Sequence, residues 1–454
     1  MASSRNRLSP DLFHRLDATL AAHCAPGARL LLGFSGGLDS TVLLHALAAL
    51  RVQRGWHVEA VHVHHGLSPN ADAWSAACAA ACAALGIPFA CERVTVPANS
   101  RGGPECAARD ARYAALHAHA RGHAFDLLLT AHHADDQAET LLHNMVRGAG
   151  LLGLAGMPLL RASDATRVAT LRPLLATARD VLDACARELG LSWIEDESNL
   201  DTRFARNYLR AEVMPRLSAR WPRAAETMAG VARRLAEAQA LLDQVAAGDA
   251  GVLSVQTDWG ICHRLDGLIA LDPARQRNLL RWLLRGHGAH SLPNEAWLDE
   301  WLRQLRTARP GAECPVAHAG VAGFCHRGLL WLMPDFNPRP EAAWDGSPTV
   351  TWGPGQVAFE PVTGRGFALA ALDSTRLSLR SRAPGDRLQR GPARLRAGVQ
   401  QIAQEVGLPS WLRDRVPIVC AGGVPVWMPG CEVAAPHAAA PGEPGLLPVW
   451  RPVI

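Results

Sequence analysis

From Arg29 to about Ile194, short apolar runs alternate with amphipathic stretches of helical period, a rhythm that leaves few folds open. The runs Leu30 to Phe34, Val58 to Val63, Phe89 to Val96 and Asp126 to Thr130 read as strands. Helical patterns separate them at Thr41 to Leu50, Ala71 to Leu85, Glu105 to Arg121 and Asp136 to Val146. Strands that each return through a helix pair in parallel, with right-handed crossovers, so the expectation is an α/β, doubly wound parallel sheet. Ligands of such sheets sit beyond the carboxyl ends of the strands. The segments after Phe34, Val63, Val96 and Thr130 should therefore converge on one crevice.

The alternation lapses beyond about Pro215, where RAAETMAGVARRLAEAQALLDQVA predicts one long connecting helix. A mixed, mainly helical region follows to about Met333, and the Pro-rich MPDFNPRPEAAWDGSP marks a linker. The rest is punctuated by Gly and Pro, with short strand-like runs at Arg376 to Arg380 and Val416 to Val419. Three domains are expected, over residues 1–217, 218–335 and 336–454, the last a small mixed α/β unit.

The sharpest motif is LLLGFSGGLDSTVLLHAL, a buried strand that runs through Ser35, Gly36, Gly37, Leu38, Asp39 and Ser40 into a helix. Two glycines let backbone N–H groups approach an oxyanion, two hydroxyls add donors, and the helix N-terminus adds partial positive charge. A Walker A loop needs lysine, but all 46 basic residues of this chain are arginine. Schiff-base chemistry is excluded for the same reason, since guanidinium does not deprotonate in proteins. Asp39 beside a phosphate is repulsive unless it holds a cation, so it is the candidate ligand for Mg²⁺; the alternative is a helix cap by Asp39 or Ser40.

A second cluster stands in HHADDQAE. Asp136 and Glu139 have capping-box spacing, Asp135 and Glu139 are four apart, and all lie where a helix starts beyond a strand. Such carboxylates can bind a cationic amine or Mg²⁺, or Asp136 and Glu139 can serve only as caps. His132 and His133 have no further ligand at zinc spacing, which favours hydrogen bonding to a nucleotide or substrate over metal. Arg109 and Arg112, three apart on a helix, can steady a phosphate together or be solvated separately.

The hexapeptide SGGLDS resembles the signature loop of the N-type ATP pyrophosphatases, which adenylate a carbonyl oxygen and release pyrophosphate. Within that superfamily, VHVHHGLSPNADAW, HHADDQAETLLHNMVRGAGLLGLAGMP, AARDARYAAL, RPLL and DESNLDTRFARNYLRAEVMPRL resemble the tRNA(Ile)-lysidine synthetase family. LRSRAPGDRLQ and VGLPSWLRDRVPIV resemble its tRNA-binding end. The resemblance implies a catalytic domain at 1–217, a substrate-binding domain at 218–335 and a tRNA-binding domain at 336–454. It implies ATP and Mg²⁺, free L-lysine, and tRNA(Ile) bearing a CAU anticodon whose wobble cytidine is adenylated and then receives lysine at C2. The roles implied are catalytic for Asp39, Arg112, Asp135 and Asp136, and nucleotide-binding for Ser35 to Ser40 with His132. Arg109, Asp135 and Glu139 would bind substrate.

Charge distribution bears on the RNA. Asp201 to Arg234 holds eight arginines against three acids, and Arg376 to Arg415 nine against three, while the whole chain nets only +4. Two basic stretches on an acidic body suit a phosphate backbone. Arg203, Arg206 and Arg210 have the spacing of one helix face, either clamping phosphates or solvated. Arg382 and Arg387, with Arg390, Arg394 and Arg396 beyond them, are the C-terminal candidates, and Trp411 and Trp427 can stack on bases or lie in the core. The eleven cysteines include no Cys-x-x-Cys, which disfavours the alternative of a tRNA thiolase, and the many acids disfavour a non-catalytic ATP- or RNA-binding module. Lacking a long apolar run or a signal-like start, the chain is expected to be cytoplasmic, off the membrane, and a monomer or homodimer.

Overall fold

The computed structural model describes residues 10–66, 68–96, 103–164, 166–197, 201–307, 315–336, 341–353, 355–372, 376–389, 395–435 and 437–452. These fall into two compact units, Met1–Ala240 and Leu241–Ile454. The first opens with α1 (Pro10–His23), β1 (Arg29–Gly33), α2 (Leu38–Arg54), β2 (His57–His64), α3 (Ala71–Ala84), β3 (Phe89–Arg93), α4 (Gly103–Gly122), β4 (Leu127–Leu129) and α5 (Ala134–Val146). After α6 (Leu151–Leu154) come β5 (Leu160–Arg161), β6 (Ala169–Leu171) and α7 (Arg179–Glu188). The sheet runs β3-β2-β1-β4-β6-β5, parallel except for β5, which is antiparallel to β6.

Central β1 shows why its run is continuously apolar. Leu30 and Leu32 enter one buried cluster with Val42, Leu43 and Leu47 of α2 and Leu182 of α7, whereas Leu31 enters another with Val61, Leu116 and Leu128. Successive side chains of a strand point to opposite faces, and both faces here are covered by helices. Because β1 lies between β2 and β4, the chain order reverses beside it, and the loop after β1 leaves at that switch point. The short β5 and β6 were not anticipated, since two- and three-residue runs inside LLRASDATRVATL are too brief to show a period.

The unit closes with α8 (Ala205–Tyr208), a π-helical turn at Leu209–Val213 and α9 (Met214–Arg220), and α10 (Ala224–Leu253) is the long connecting helix expected.

The second unit contains a five-stranded sheet that the sequence did not disclose. Strands β7 (Ser254–Thr257) and β8 (Gly260–Arg264) precede helices α11 (Leu265–Ala270), α12 (Pro273–Gly286) and α13 (Glu295–Thr307), and β9 (Val316–His318), β10 (Val321–His326) and β11 (Leu329–Pro334) follow. Val321, Cys325, Leu330 and Leu332 face the leucines of α12 and α13; Ala322, Phe324, Trp331 and Met333 face the strand-rich C-terminal core. Strands buried on both faces lose the polar alternation that would betray them.

Trp411 and Trp427 belong to that C-terminal core, which corrects any reading of them as base-stacking platforms. Trp411 lies parallel to the Phe324 ring at 4.7 Å, and both tryptophans are more than nine-tenths buried. Arg390 and Arg394 lie outside the described residues. Nearby, Arg380 forks onto Asp386 at 2.7 and 2.8 Å, and Asp386 also accepts the Ala383 N–H, tying the Pro-Gly-Asp turn to its strand. Burial opposes ionisation of Asp386, but the Arg380 contact and that N–H hold it below the ordinary carboxylate range. A carboxylate depressed in the folded state stabilises fully above its unfolded pKa, ~3.9, and loses that contribution as pH falls through the folded value. Asp386→Asn should therefore cost about 3 kcal/mol at pH 7, read by denaturant titration, and the gap to wild type should narrow below pH 4.

Candidate active site

The loop after β1 is held open by geometry. Gly36 has φ +80°, a conformation that strains other residues, and a Cβ there would displace both Ile194 Cδ1 and Cys78 Sγ. Its carbonyl accepts the Ile194 N–H at 2.9 Å, drawing the segment after α7 against the loop. Gly37 caps α2 without side-chain help and would tolerate a Cβ, which meets Ser35 Oγ at 3.4 Å and the Ile194 carbonyl at 4.0 Å. The hydroxyls of Ser35 and Ser40 lie 3.0 Å apart, Ser40 donates to the Gly37 carbonyl, and Thr41 donates to the carbonyls of Gly36 and Gly37. Leu38 is buried as the first residue of α2, and Asp39 follows it. The loop is anchored from beneath by His62, whose Nδ1 lies 3.0 Å from the Phe34 carbonyl.

Asp39 faces the start of α5, across from the loop that follows β4. His133 Nε2 lies 3.5 Å from Asp39 and 3.4 Å from Asp136, and its Nδ1 lies 3.6 Å from Asp135. Burial disfavours the imidazolium, but Asp135, Asp39 and Asp136 together outweigh it and hold the His133 pKa at about 10. The neighbouring His132 is opposite in character. Burial drives it down to about 3, with Arg172, Arg109 and Arg206 opposing a charge there although Asp136 favours one, and its Nδ1 meets Thr130 Oγ1 at 2.9 Å. His132 is thus neutral and His133 cationic.

The acids divide their work. Helix α5 begins one turn earlier than the Asp136–Glu139 spacing suggested: the cap is His133, and Asp136 accepts its backbone N–H at 3.1 Å. Arg210 donates to Asp136 at 3.1 Å and takes both oxygens of fully buried Glu139 at 2.7 and 3.0 Å. Burial pushes the Glu139 pKa up, and the Arg210 hydrogen bonds and charge oppose that rise. Asp135 is partly exposed and accepts the Arg179 N–H. Asp39 Oδ1 is buried with no hydrogen-bond partner among the described residues. Glu139 is thus buried with both oxygens paired to Arg210.

The arginines are also sorted. Arg203, Arg206 and Arg210 do not present one phosphate-facing row: Arg203 precedes α8 and is chelated by Asp201, Arg206 donates to Thr140 Oγ1 at 2.7 Å, and Arg210 is engaged as above. Nearby carboxylates and carbonyls claim them before any ligand arrives. On α4, Arg112 donates Nε to His65 Nε2 at 3.2 Å, while Arg109 lies 5.7 Å from the Tyr113 ring centre. Burial and the Arg112 charge push His65 down to about 4, so it is the neutral acceptor. In the second unit, Arg382 is paired with Asp414 and Arg387 donates to the Arg396 carbonyl, both lining a cavity of about 260 Å³.

Sequence reasoning gave no role to His62, His65, Ile194 or Arg172, although VHVHHGL and RPLL contain three of them, because each acts through a contact made across the fold. Among the described residues, no three His, Cys, Asp or Glu side chains are grouped to hold a metal, and no helix is long and apolar enough to cross a membrane. Replacing Gly36 by Ala should cost more than about 2 kcal/mol in thermal or denaturant unfolding, with loss of nucleotide binding. Gly37→Ala should unfold within about 1 kcal/mol of wild type; equal destabilisation by the two changes would contradict the wedge at Gly36.

Family comparisons agree along the chain. The PP-loop domain family matches residues 10–217, the TilS substrate binding domain 264–331 and the TilS substrate C-terminal domain 377–450. The tRNA(Ile)-lysidine synthase of Aromatoleum aromaticum is 42% identical over 95% of this chain and 99% of its own length. That of Nitrosomonas europaea is 36% identical over 100% and 98%. A solved structure, the U34-tRNA thiolase NcsA from Methanococcus maripaludis, aligns over 50% of this chain and 79% of its own with 19% identity and a TM-score of 0.44, too slight a likeness to argue from. With near-complete coverage on both sides and identities well above 30%, the chain belongs to the tRNA(Ile)-lysidine synthase family.

Proposed function

We propose that this protein is a cytoplasmic ligase that uses ATP to join L-lysine to C2 of the wobble cytidine in tRNA(Ile) with a CAU anticodon. The observation that carries this reading is the glycine nest at the switch point facing Asp39, His133, Asp135 and Asp136, within a chain related end to end to lysidine synthases. In the first step cytosine O2 attacks the α-phosphorus of ATP and the bond to the β-phosphate breaks, releasing pyrophosphate. In the second the lysine amine attacks C2, the C2–O bond breaks, AMP leaves and the nitrogen gives up a proton.

The residues have matching tasks. N–H groups of the loop and the start of α2 receive the phosphates, and Ser35 and Ser40 add donors. Asp39 fits a single Mg²⁺ contact: its unpartnered buried Oδ1 is one carboxylate ligand, and this ion ordinarily completes its shell with phosphate oxygens and water. Mg²⁺ bound there would offset charge on the departing pyrophosphate. Arg112 of α4, held by His65 beyond the end of β2, is assigned to the reacting phosphate. Asp135, the acid with an exposed edge, is assigned to the lysine ammonium and to its proton after attack. Asp136 keeps His133 and Arg210 in place around it. Within the chain, 1–217 is assigned to catalysis, 218–335 to substrate binding and 336–454 to tRNA.

Incubation with ATP, Mg²⁺, labelled L-lysine and tRNA(Ile) bearing CAU should transfer label to the tRNA with one AMP per lysine. Asp39→Asn should lose at least 100-fold in pyrophosphate release while tRNA affinity changes less than about twofold. Label that never enters tRNA, or full turnover by Asp39→Asn, would overturn the ligation or the metal assignment respectively.

A further inference from the structure

Beside the site lies a polar surface that the chemistry above leaves unused. Arg109, Tyr113 and His117 recur at four-residue steps and share one face of α4. Arg109 sits over the Tyr113 ring, and the Tyr113 and His117 rings are stacked with centres 6.1 Å apart. The β5–β6 hairpin packs against the same helix, since Val168 joins the buried cluster of Leu116 and Ala120. Through this packing the hairpin brings Arg161 and Arg167 to His117. Burial and these two charges keep the His117 imidazole neutral.

Three buried polar atoms here have no hydrogen-bond partner among the described residues: Tyr113 Oη, His117 Nδ1 and Arg172 Nε. His117 and Arg172 are each about 95% buried, and Arg172 spends one amino group on the Pro158 carbonyl at 2.8 Å. Arg161 and Arg167 make no side-chain hydrogen bond or ion pair among the described residues. Asp164 lies beside both arginines, its carboxylate accepting the Thr166 N–H and hydroxyl. Two arginines beside one carboxylate, with neither engaged by a side-chain partner among the described residues, fit an anion with several acceptor oxygens. The surface continues toward the reaction, because Arg109 and Arg172 both bear on His132.

We infer that α4 and the β5–β6 hairpin form a docking site for an RNA phosphodiester flanking the target cytidine, with the exposed Arg161 and Arg167 supplying its charge. This rests on the ligase reading above. It places the RNA backbone on the catalytic unit itself, so that the base is held by its neighbours while O2 meets the α-phosphate.

The test compares the full chain with Arg161→Ala/Arg167→Ala, measuring tRNA binding from 50 to 300 mM salt together with steady-state kinetics. The double variant should weaken tRNA binding at least tenfold at 150 mM salt and reduce the slope of log affinity against log salt by about 1 to 2. Its KM for ATP and its kcat at saturating tRNA should be unchanged. Arg161→Lys/Arg167→Lys should restore the slope, which counts charge, and recover only part of the affinity. Unchanged tRNA affinity and slope in the Ala variant would overturn the inference, as would a parallel rise in KM for ATP, which would put the arginines on the nucleotide. Failure of the wild-type chain to transfer lysine would sink the ligase reading alone, since the binding arm does not depend on it.

Discussion

Four carboxylates gather where α5 begins, and the site exists because two internal cations balance them. Asp39, Asp135 and Asp136 surround the His133 imidazolium, and Arg210 spans Asp136 and Glu139. Like charges this close are strongly repulsive in a poorly solvated crevice. The cations turn repulsion into a fixed framework, and they also decide what remains for ligands. Glu139 is spent, Asp136 is spent on cap and arginine, and the open positions are Asp39 Oδ1 and the exposed edge of Asp135.

The framework stands on the sheet. Asp39 arrives on the first turn of α2 because Gly36 turns the chain out of β1 in a conformation that strains other residues, and His133 arrives at the end of the neighbouring β4. Every strand of β1 and β4 that is buried on both faces is apolar for that reason, so the polar chemistry is confined to the strand ends. Stability and function are thereby separated along the same few residues. Leu30 to Leu32 pack the core, and the chain reaches the phosphate loop three residues later.

Much of this was legible in the sequence, and the rest was hidden for identifiable reasons. The strands β1 to β4, their helices and the glycine loop follow from local period and composition, which survive folding unchanged. The partners of arginines do not. Arg203, Arg206 and Arg210 have the spacing of a phosphate clamp, but Arg210 meets Glu139, 71 positions away, and spacing carries no information about such a contact. Trp411 lies in a basic segment and Trp427 beyond it, yet both belong to the core, because the strands beneath them, buried on both faces, were not visible as strands. His133 stood next to His132 with nothing local to distinguish them, and only the fold gives one three aspartates and the other a threonine.

The absence of lysine gives the molecule a particular economy. Each internal cation that fixes an acid is a guanidinium or an imidazolium, and the forked contacts of Arg210 with Glu139 and Arg380 with Asp386 are geometries an ammonium does not reproduce. The one primary amine that the reaction needs comes as substrate, into a crevice whose own cations are already committed. In the proposed reaction RNA is activated first, and lysine attacks second. Exchange of labelled pyrophosphate into ATP, measured with tRNA(Ile) present and lysine omitted, tests it directly. The expected result is exchange that requires tRNA and proceeds without lysine; exchange that requires lysine and proceeds without tRNA would reverse that order.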